Sequence, residues 1–179
     1  MSGTGNIAEL ESLEKLFAAG NLKATQYNVL RYFLFSCYTG LRYTDMKNFK
    51  FGMLQKVNYN NSEKTIIKLE QHKTKNIVSI PVIEKAQQLI GKNYGEHQNV
   101  FKVLSNQKTN DRLKDVMKIA NINKNITFHS ARHTFATVAI EKGIPMEVIS
   151  TLLGHTELKT TQIYAKINDQ VKFDWMKRL

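Results

Sequence analysis

A single cysteine, Cys37, stands among the 179 residues of this chain. One thiol excludes an internal disulfide, and its setting in YFLFSCY is that of an inert group in an apolar core. Long hydrophobic runs are missing too. The longest near-apolar stretch, residues 32–38, falls far below the roughly 18 residues that a membrane-spanning helix needs. The polar opening MSGTGN has neither the basic nor the apolar region of a signal peptide, so the expected compartment is the cytoplasm. No repeat or low-complexity tract interrupts the sequence. Acidic residues are outnumbered: 15 Asp plus Glu against 26 Lys plus Arg, a net charge of +11. That surplus favours a polyanionic partner, nucleic acid or an anionic membrane surface, and no membrane segment competes for it. Metal ligands are sparse as well. His129 and His133 lie four apart, but no H-E-x-x-H motif and no nearby cluster of Cys or carboxylates completes a site, so no metal is expected.

What is present suffices for one core. With 42% hydrophobic residues the length suits one domain and is short for two. Residues 7–19 set Leu10, Leu13, Leu16 and Phe17 at helical spacing, and Gly20 is placed to end that helix. Thr25 can cap a second helix over residues 26–38, whose density of Phe, Leu, Tyr and Val predicts a central, buried element. Gly40 breaks it. Thr44 and Asp45 then open a short helix with Met46 inward, so that Arg42 comes off a buried scaffold. From Met53 the period changes: LQKVNY, the turn residues Asn60 and Asn61, KTIIKLE and NIVSIP predict a three-stranded antiparallel sheet, with QHKTKN between the last two strands. Helical spacing resumes over residues 83–90 and 111–120, the latter with Leu113, Val116, Met117 and Ala120 on one face. Residues 91–108 are the least readable, and 100–104 fit either a short strand or an apolar anchor. The chain closes on an amphipathic piece, residues 169–179, bearing Val171, Phe173, Trp175 and Met176.

Residues 127–166 organise the rest, because two histidines, an arginine and a tyrosine stand there between helical apolar periods. His129 and Arg132 are three apart; a helix beginning near Ser130 would put them in its first turn, where backbone N–H groups and the helix dipole favour an anion. His155 follows in LLGH, after an apolar helix, and Tyr164 lies nine residues on in the short polar helix TTQIYAK. Each residue has a plainer reading. Arg42 can pair with Asp45 one turn later, His133 can be a satisfied, partly buried histidine on the Ala136 face, His155 can cap the preceding helix, and Tyr164 can pack its ring. Only the joint pattern favours a site.

H-x-x-R-H at 129–133, L-G-H ending at His155, and Tyr164 nine residues later resemble the C-terminal catalytic domain of the tyrosine recombinases, the phage-type integrases. TGLRYTDM, carrying Arg42, looks like that family's first arginine box. The likeness spans roughly residues 30–166, with four boxes in family order. Two departures are mild: Ala131 stands where leucine is common, and Asp45 satisfies the usual acidic position. The resemblance implies an α+β, mainly helical fold with a small three-stranded antiparallel sheet. It also implies site-specific DNA recombination, the breaking and rejoining of strands through a covalent 3′-phosphotyrosine.

In that chemistry Arg42 and Arg132 clamp the phosphate, since planar guanidinium forks match its oxygens bidentately. His155 adds a hydrogen bond, His129 serves as the base and Tyr164 is the nucleophile. The family's catalytic lysine sits in the turn between the second and third strands, where Lys73 matches better than Lys75; it would protonate the departing 5′ oxygen. A phosphotyrosine ester keeps the energy of the diester, so no nucleotide cofactor is implied, and the arginines fill the electrostatic role of a metal. The implied partner is double-stranded DNA, held by a homotetramer on recombining sites or a monomer as an isolated domain, with no small-molecule substrate. The resemblance further implies that residues 1–179 are the catalytic domain, with 1–6 a remnant or linker, that the N-terminal core-binding domain is missing, and that residues 169–179 dock on a neighbouring protomer. Two alternatives stay open. Type IB topoisomerase-like relaxation would act on one duplex without exchanging strands between two, and a nonenzymatic basic DNA-binding module would form no covalent adduct.

Overall fold

In the computed structural model, residues 6–154 and 169–179 are described. Helix α1, Ile7–Ala19, starts on a capping box: the Asn6 side chain accepts from the Glu9 N–H at 2.9 Å, and the Glu9 carboxylate accepts from the Asn6 N–H at 3.1 Å. Gly20 ends it in the left-handed conformation. Helix α2, Ala24–Thr39, is the central helix, with residues from Val29 to Thr39 buried almost without a break. Its cap is not Thr25, which lies inside the helix. Lys23 holds that position, and the Gln26 side chain reaches back to accept its N–H.

Gly40 ends α2 at φ 69°, and a Cβ there would lie 2.5 Å from Leu153 Cδ2 and 3.1 Å from Phe135 Cδ1. Both conformation and space therefore demand glycine. Gly40→Ala is expected to lose about 2–4 kcal/mol, combining left-handed strain with overpacking. A fall in denaturant midpoint at unchanged m-value would measure it.

Helix α3, Tyr43–Lys47, follows with Arg42 as its N-cap residue and Met46 fully buried. Strands β1 (Leu54–Tyr59), β2 (Ser62–Glu70) and β3 (Ile77–Pro81) form an antiparallel meander in the order β1-β2-β3. Asn60 and Asn61 close the first hairpin at φ 48° and 57°, the left-handed conformations that asparagine tolerates best. In β2 the alternation fails at Thr65, Ile66 and Ile67, all buried. Both faces of the sheet are covered there: Ile67 and Leu69 join the main core, while Ile66 packs with Tyr59 and Phe173.

Helix α4 is Glu84–Gln88 and α5 is Asn106–Ile119, which begins earlier than the apolar period because Ser105 caps it. Residues 100–104 form an anchor, not a strand: Val100 and Phe101 are buried, and Phe101 packs on Phe35 and Phe49. Helices α6, Phe128–Glu141, and α7, Met146–Leu153, complete the helical body, with α6 against α2. Helix α8, Asp169–Met176, packs against β3 and α7 of its own chain, and the Tyr59 hydroxyl donates to Asp174. Among the described residues no helix is long and apolar enough to cross a membrane.

Candidate active site

Arg132 lies on the second turn of α6, and only 6% of it is exposed. Its Nη1 donates to the Gly40 carbonyl at 2.8 Å and its Nη2 to the Leu153 carbonyl at 2.6 Å. Two of five guanidinium protons are thereby spent on the ends of α2 and α7, which fixes the plane of the fork and leaves further donors for an anion. Burial, and then the neighbouring Arg42, push its pKa down to about 10, with Asp45 opposing. At neutral pH it is still a cation, held in a setting that an incoming phosphate would relieve.

Arg42 does not pair with Asp45. Its Nη1 donates to Gln71 Oε1 at 2.6 Å, while Asp45 Oδ1 accepts from the His72 N–H at 2.9 Å. Asp45 is 5% exposed, and its Oδ2 has no hydrogen-bond partner among the described residues. The carboxylate thus anchors the β2–β3 turn beneath the arginines. That turn, residues 71–76, is also pinned by the Asn76 side chain, which donates to the Gly154 carbonyl at 3.2 Å. Lys73 projects from it into a cleft of about 310 Å³ that it lines together with Arg42, Tyr43, Asn106, His129 and Arg132. Lys75 is not among the lining residues; it sits at φ 58° and forms an exposed ion pair with Glu70 at 3.7 Å.

Helix α6 begins at Phe128, earlier than the spacing predicts. Its first turn is also less open to an anion than expected. The Phe128 N–H donates to Asn110 Oδ1 at 2.9 Å, the Ser130 N–H to the Thr127 carbonyl at 2.9 Å, and the Thr127 N–H to Ser130 Oγ at 3.1 Å. Anion binding here therefore falls to side chains more than to the helix end. His129 is exposed at the cleft, and its ring meets that of His133 edge-on at 4.6 Å between centroids. His133 is itself exposed rather than partly buried, since it shares the outward face of α6 with the exposed His129 and Ile140.

His129 is held below the usual imidazole range, first by desolvation and then by His133, Arg132, Arg42 and Lys73. A histidine that resists protonation is neutral, and so able to accept a proton, at neutral pH. Its lowered folded pKa also means that the unfolded chain binds more protons as pH falls through the ordinary value near 6.5, so the protonated imidazole counts against folding there. If His129 is the base, the single-turnover rate falls on acidification only below the ordinary histidine range. His133→Ala should shift that limb to higher pH. Rate–pH profiles of the two proteins make the comparison.

His155 and Tyr164 lie outside the described residues. The described backbone before them runs to Gly154, whose left-handed conformation closes α7, and it resumes at Asp169. Among the described residues, no group of three or more His, Cys, Asp or Glu side chains converges as a metal site would require. Sequence reasoning passed over two contributors. Asn106 lines the cleft from the start of α5, and nothing in the sequence marks it. Gln71 had a signal: it continues the inward alternation of Ile67 and Leu69 as a polar residue beside the candidate lysine.

Comparison with known proteins bears on this arrangement. A tyrosine recombinase of Thermosipho africanus is 49% identical over 67 residues, covering 37% of this chain and 24% of that protein. The recombinase XerA of Pyrococcus horikoshii is 51% identical over 43 residues, 24% of this chain and 15% of its own. Among solved structures, an integrase from mycobacterium phage Brujita superposes with a TM-score of 0.67 at 16% identity, over 100% of this chain and 58% of that one. The XerH site-specific recombinase, in a pre-cleavage complex with its difH substrate, superposes with a TM-score of 0.65 at 18% identity, over 96% and 52%. This chain thus spans little more than half of those structures and aligns with about a quarter of the Thermosipho protein. The structural likeness establishes the fold, mainly helical with a small antiparallel sheet. The phage integrase family profile matches residues 8–171, nearly the whole chain. On that match the chain belongs to the phage integrase family of tyrosine recombinases.

Proposed function

We propose that this chain breaks and rejoins double-stranded DNA at specific sites through a 3′-phosphotyrosine, with Tyr164 as nucleophile. One observation carries the reading: Arg42, Lys73 and the α6 pair His129 and Arg132, brought together from three separate segments, line one cleft. The Tyr164 oxygen attacks the scissile phosphorus and its proton passes to His129. The bond to the 5′ oxygen breaks, and that oxygen takes a proton from the Lys73 ammonium. Arg42, Arg132 and His155 hold the nonbridging oxygens, whose charge grows in the transition state. Reversal by a second DNA hydroxyl joins the new strand, and assembly of four copies over two duplexes is the finer part of the proposal. The net charge of +11 supports a polyanionic substrate.

The test uses a pool of nicked duplexes of randomised sequence, incubated with the protein and run on a denaturing gel. A covalent adduct enriched for particular sequences supports the reading, whereas tight binding without any adduct would leave only a DNA-binding module. Lys73 has its own test, because its work is confined to one atom. Lys73→Ala should lose roughly 10²–10⁴ in cleavage rate on ordinary DNA. It should recover most of that on DNA with sulfur at the 5′ bridging position, since a thiolate leaves unprotonated, thiols having a pKa near 8.5. If Lys75→Ala is the rescued variant instead, the acid lies two residues on, despite its ion pair with Glu70.

A further inference from the structure

We propose that Gln71 is a positioning residue of this site, tying Arg42 to the same Leu153 carbonyl that holds Arg132. The inference rests on reading the cleft as the place of strand cleavage. Gln71 is fully buried at the end of the inward row begun by Ile67 and Leu69. An apolar side chain would fill that position at less cost, since a buried amide must recover every hydrogen bond it gives up in water. Gln71 recovers three of its four from groups around the cleft. Oε1 accepts from Arg42 Nη1 at 2.6 Å and from Thr74 Oγ1 at 2.9 Å, and Nε2 donates to the Leu153 carbonyl at 2.9 Å. Its backbone closes the turn, donating to the Asn76 carbonyl and accepting from the Lys75 N–H, both at 2.9 Å.

The room for this side chain is made by Gly154, where a Cβ would stand 2.5 Å from Gln71 Oε1 and 2.7 Å from Val78 Cγ1. Three separate segments, the start of α3, the β2–β3 turn and the end of α7, therefore meet on one amide. Its neutrality matters as much as its reach. An amide oxygen orients Arg42 without cancelling its charge, whereas a carboxylate would compete with the phosphate for the guanidinium. Among the described residues Arg42 has no other hydrogen-bond partner, so without Gln71 the half-buried fork is free to leave its productive angle.

The experiment measures single-turnover adduct formation on a nicked duplex recovered from the selection described above, for wild type, Gln71→Met, Arg42→Ala and the double variant. Gln71→Met should keep DNA affinity within about twofold and lose roughly 10–100-fold in rate, the usual penalty for a misplaced catalytic group. Sulfur at the 5′ bridging position should not restore it, because the defect lies in the phosphate clamp. In the Arg42→Ala background the same change should cost less than about twofold, since two residues acting as one unit are non-additive. Wild-type speed in Gln71→Met, an undiminished penalty beside Arg42→Ala, or recovery on the sulfur substrate would each overturn the proposal. Should Gln71→Met fail to fold, Gln71→Glu preserves volume and acceptor. It should be slowed by a factor that shrinks as pH falls, since protonation restores a neutral group that donates to Leu153; a wild-type rate at every pH would refute the role. An absent adduct with wild-type protein points instead at the strand-cleavage reading, and so separates the two failures.

Discussion

Tyr164→Phe is expected to abolish the covalent adduct while leaving DNA affinity within about twofold, because the change removes one hydroxyl and no charge. The prediction is sharp because two other candidate nucleophiles among the described residues are badly placed. Tyr43 lines the cleft, but its hydroxyl donates to the Leu104 carbonyl at 2.6 Å, and burial raises its pKa. Cys37 is 3% exposed in the core, with its thiol pushed far up by burial, so no thiolate forms. Tyr43→Phe should therefore retain the adduct that Tyr164→Phe loses, measured side by side on a denaturing gel. An adduct surviving in Tyr164→Phe would move the nucleophile elsewhere.

Arg132→Ala is expected to cost on the order of 10³–10⁵ in cleavage rate, by analogy with arginines that stabilise transferring phosphoryl groups. Arg132→Lys should fare little better. One ammonium cannot reach the Gly40 and Leu153 carbonyls together and still present a fork to phosphate. The structure adds a second consequence: Arg132→Ala takes the Arg132 donor from the Gly40 carbonyl and leaves the Leu153 carbonyl with Gln71, at a buried junction of α2, α6 and α7. Arg132→Ala should accordingly lose about 1–3 kcal/mol of stability as well. Rate at a temperature where each variant is fully folded separates the effects. Sulfur at the 5′ bridging position should rescue neither variant, unlike Lys73→Ala. Rescue of Arg132→Ala would mean that this arginine serves the leaving group and not the phosphate.

Local patterns of the sequence determined most of the elements. The alternation in LQKVNY and NIVSIP, the paired asparagines at 60 and 61, and the glycines at 20 and 40 each act through backbone preferences within a few residues. The spacing of the arginine and histidine boxes likewise identified the family, because that chemistry restricts residue type at every position. Local signals misplaced the cap of α2, where Lys23 with Gln26 prevailed over Thr25, and they began α5 at Asp111 although Ser105 caps it and it starts at Asn106. They also left His133 partly buried when α6 turns it outward.

Only the tertiary structure decided which partners the charged groups take. Arg42 lies three residues from Asp45, yet it bonds Gln71 from a distant turn, while Asp45 holds that turn by the His72 N–H. Sequence proximity favours a pair only when no better acceptor arrives through the fold, and the packing of the β2–β3 turn on α7 supplies one. The same packing separates Lys73 from Lys75, two residues apart and equivalent in charge, by sending one into the cleft and the other to Glu70. Side-chain identity and periodicity act locally and can be read along the chain. The meeting of Gly40, Gln71, Arg132 and Leu153 depends on where the core brings their segments together.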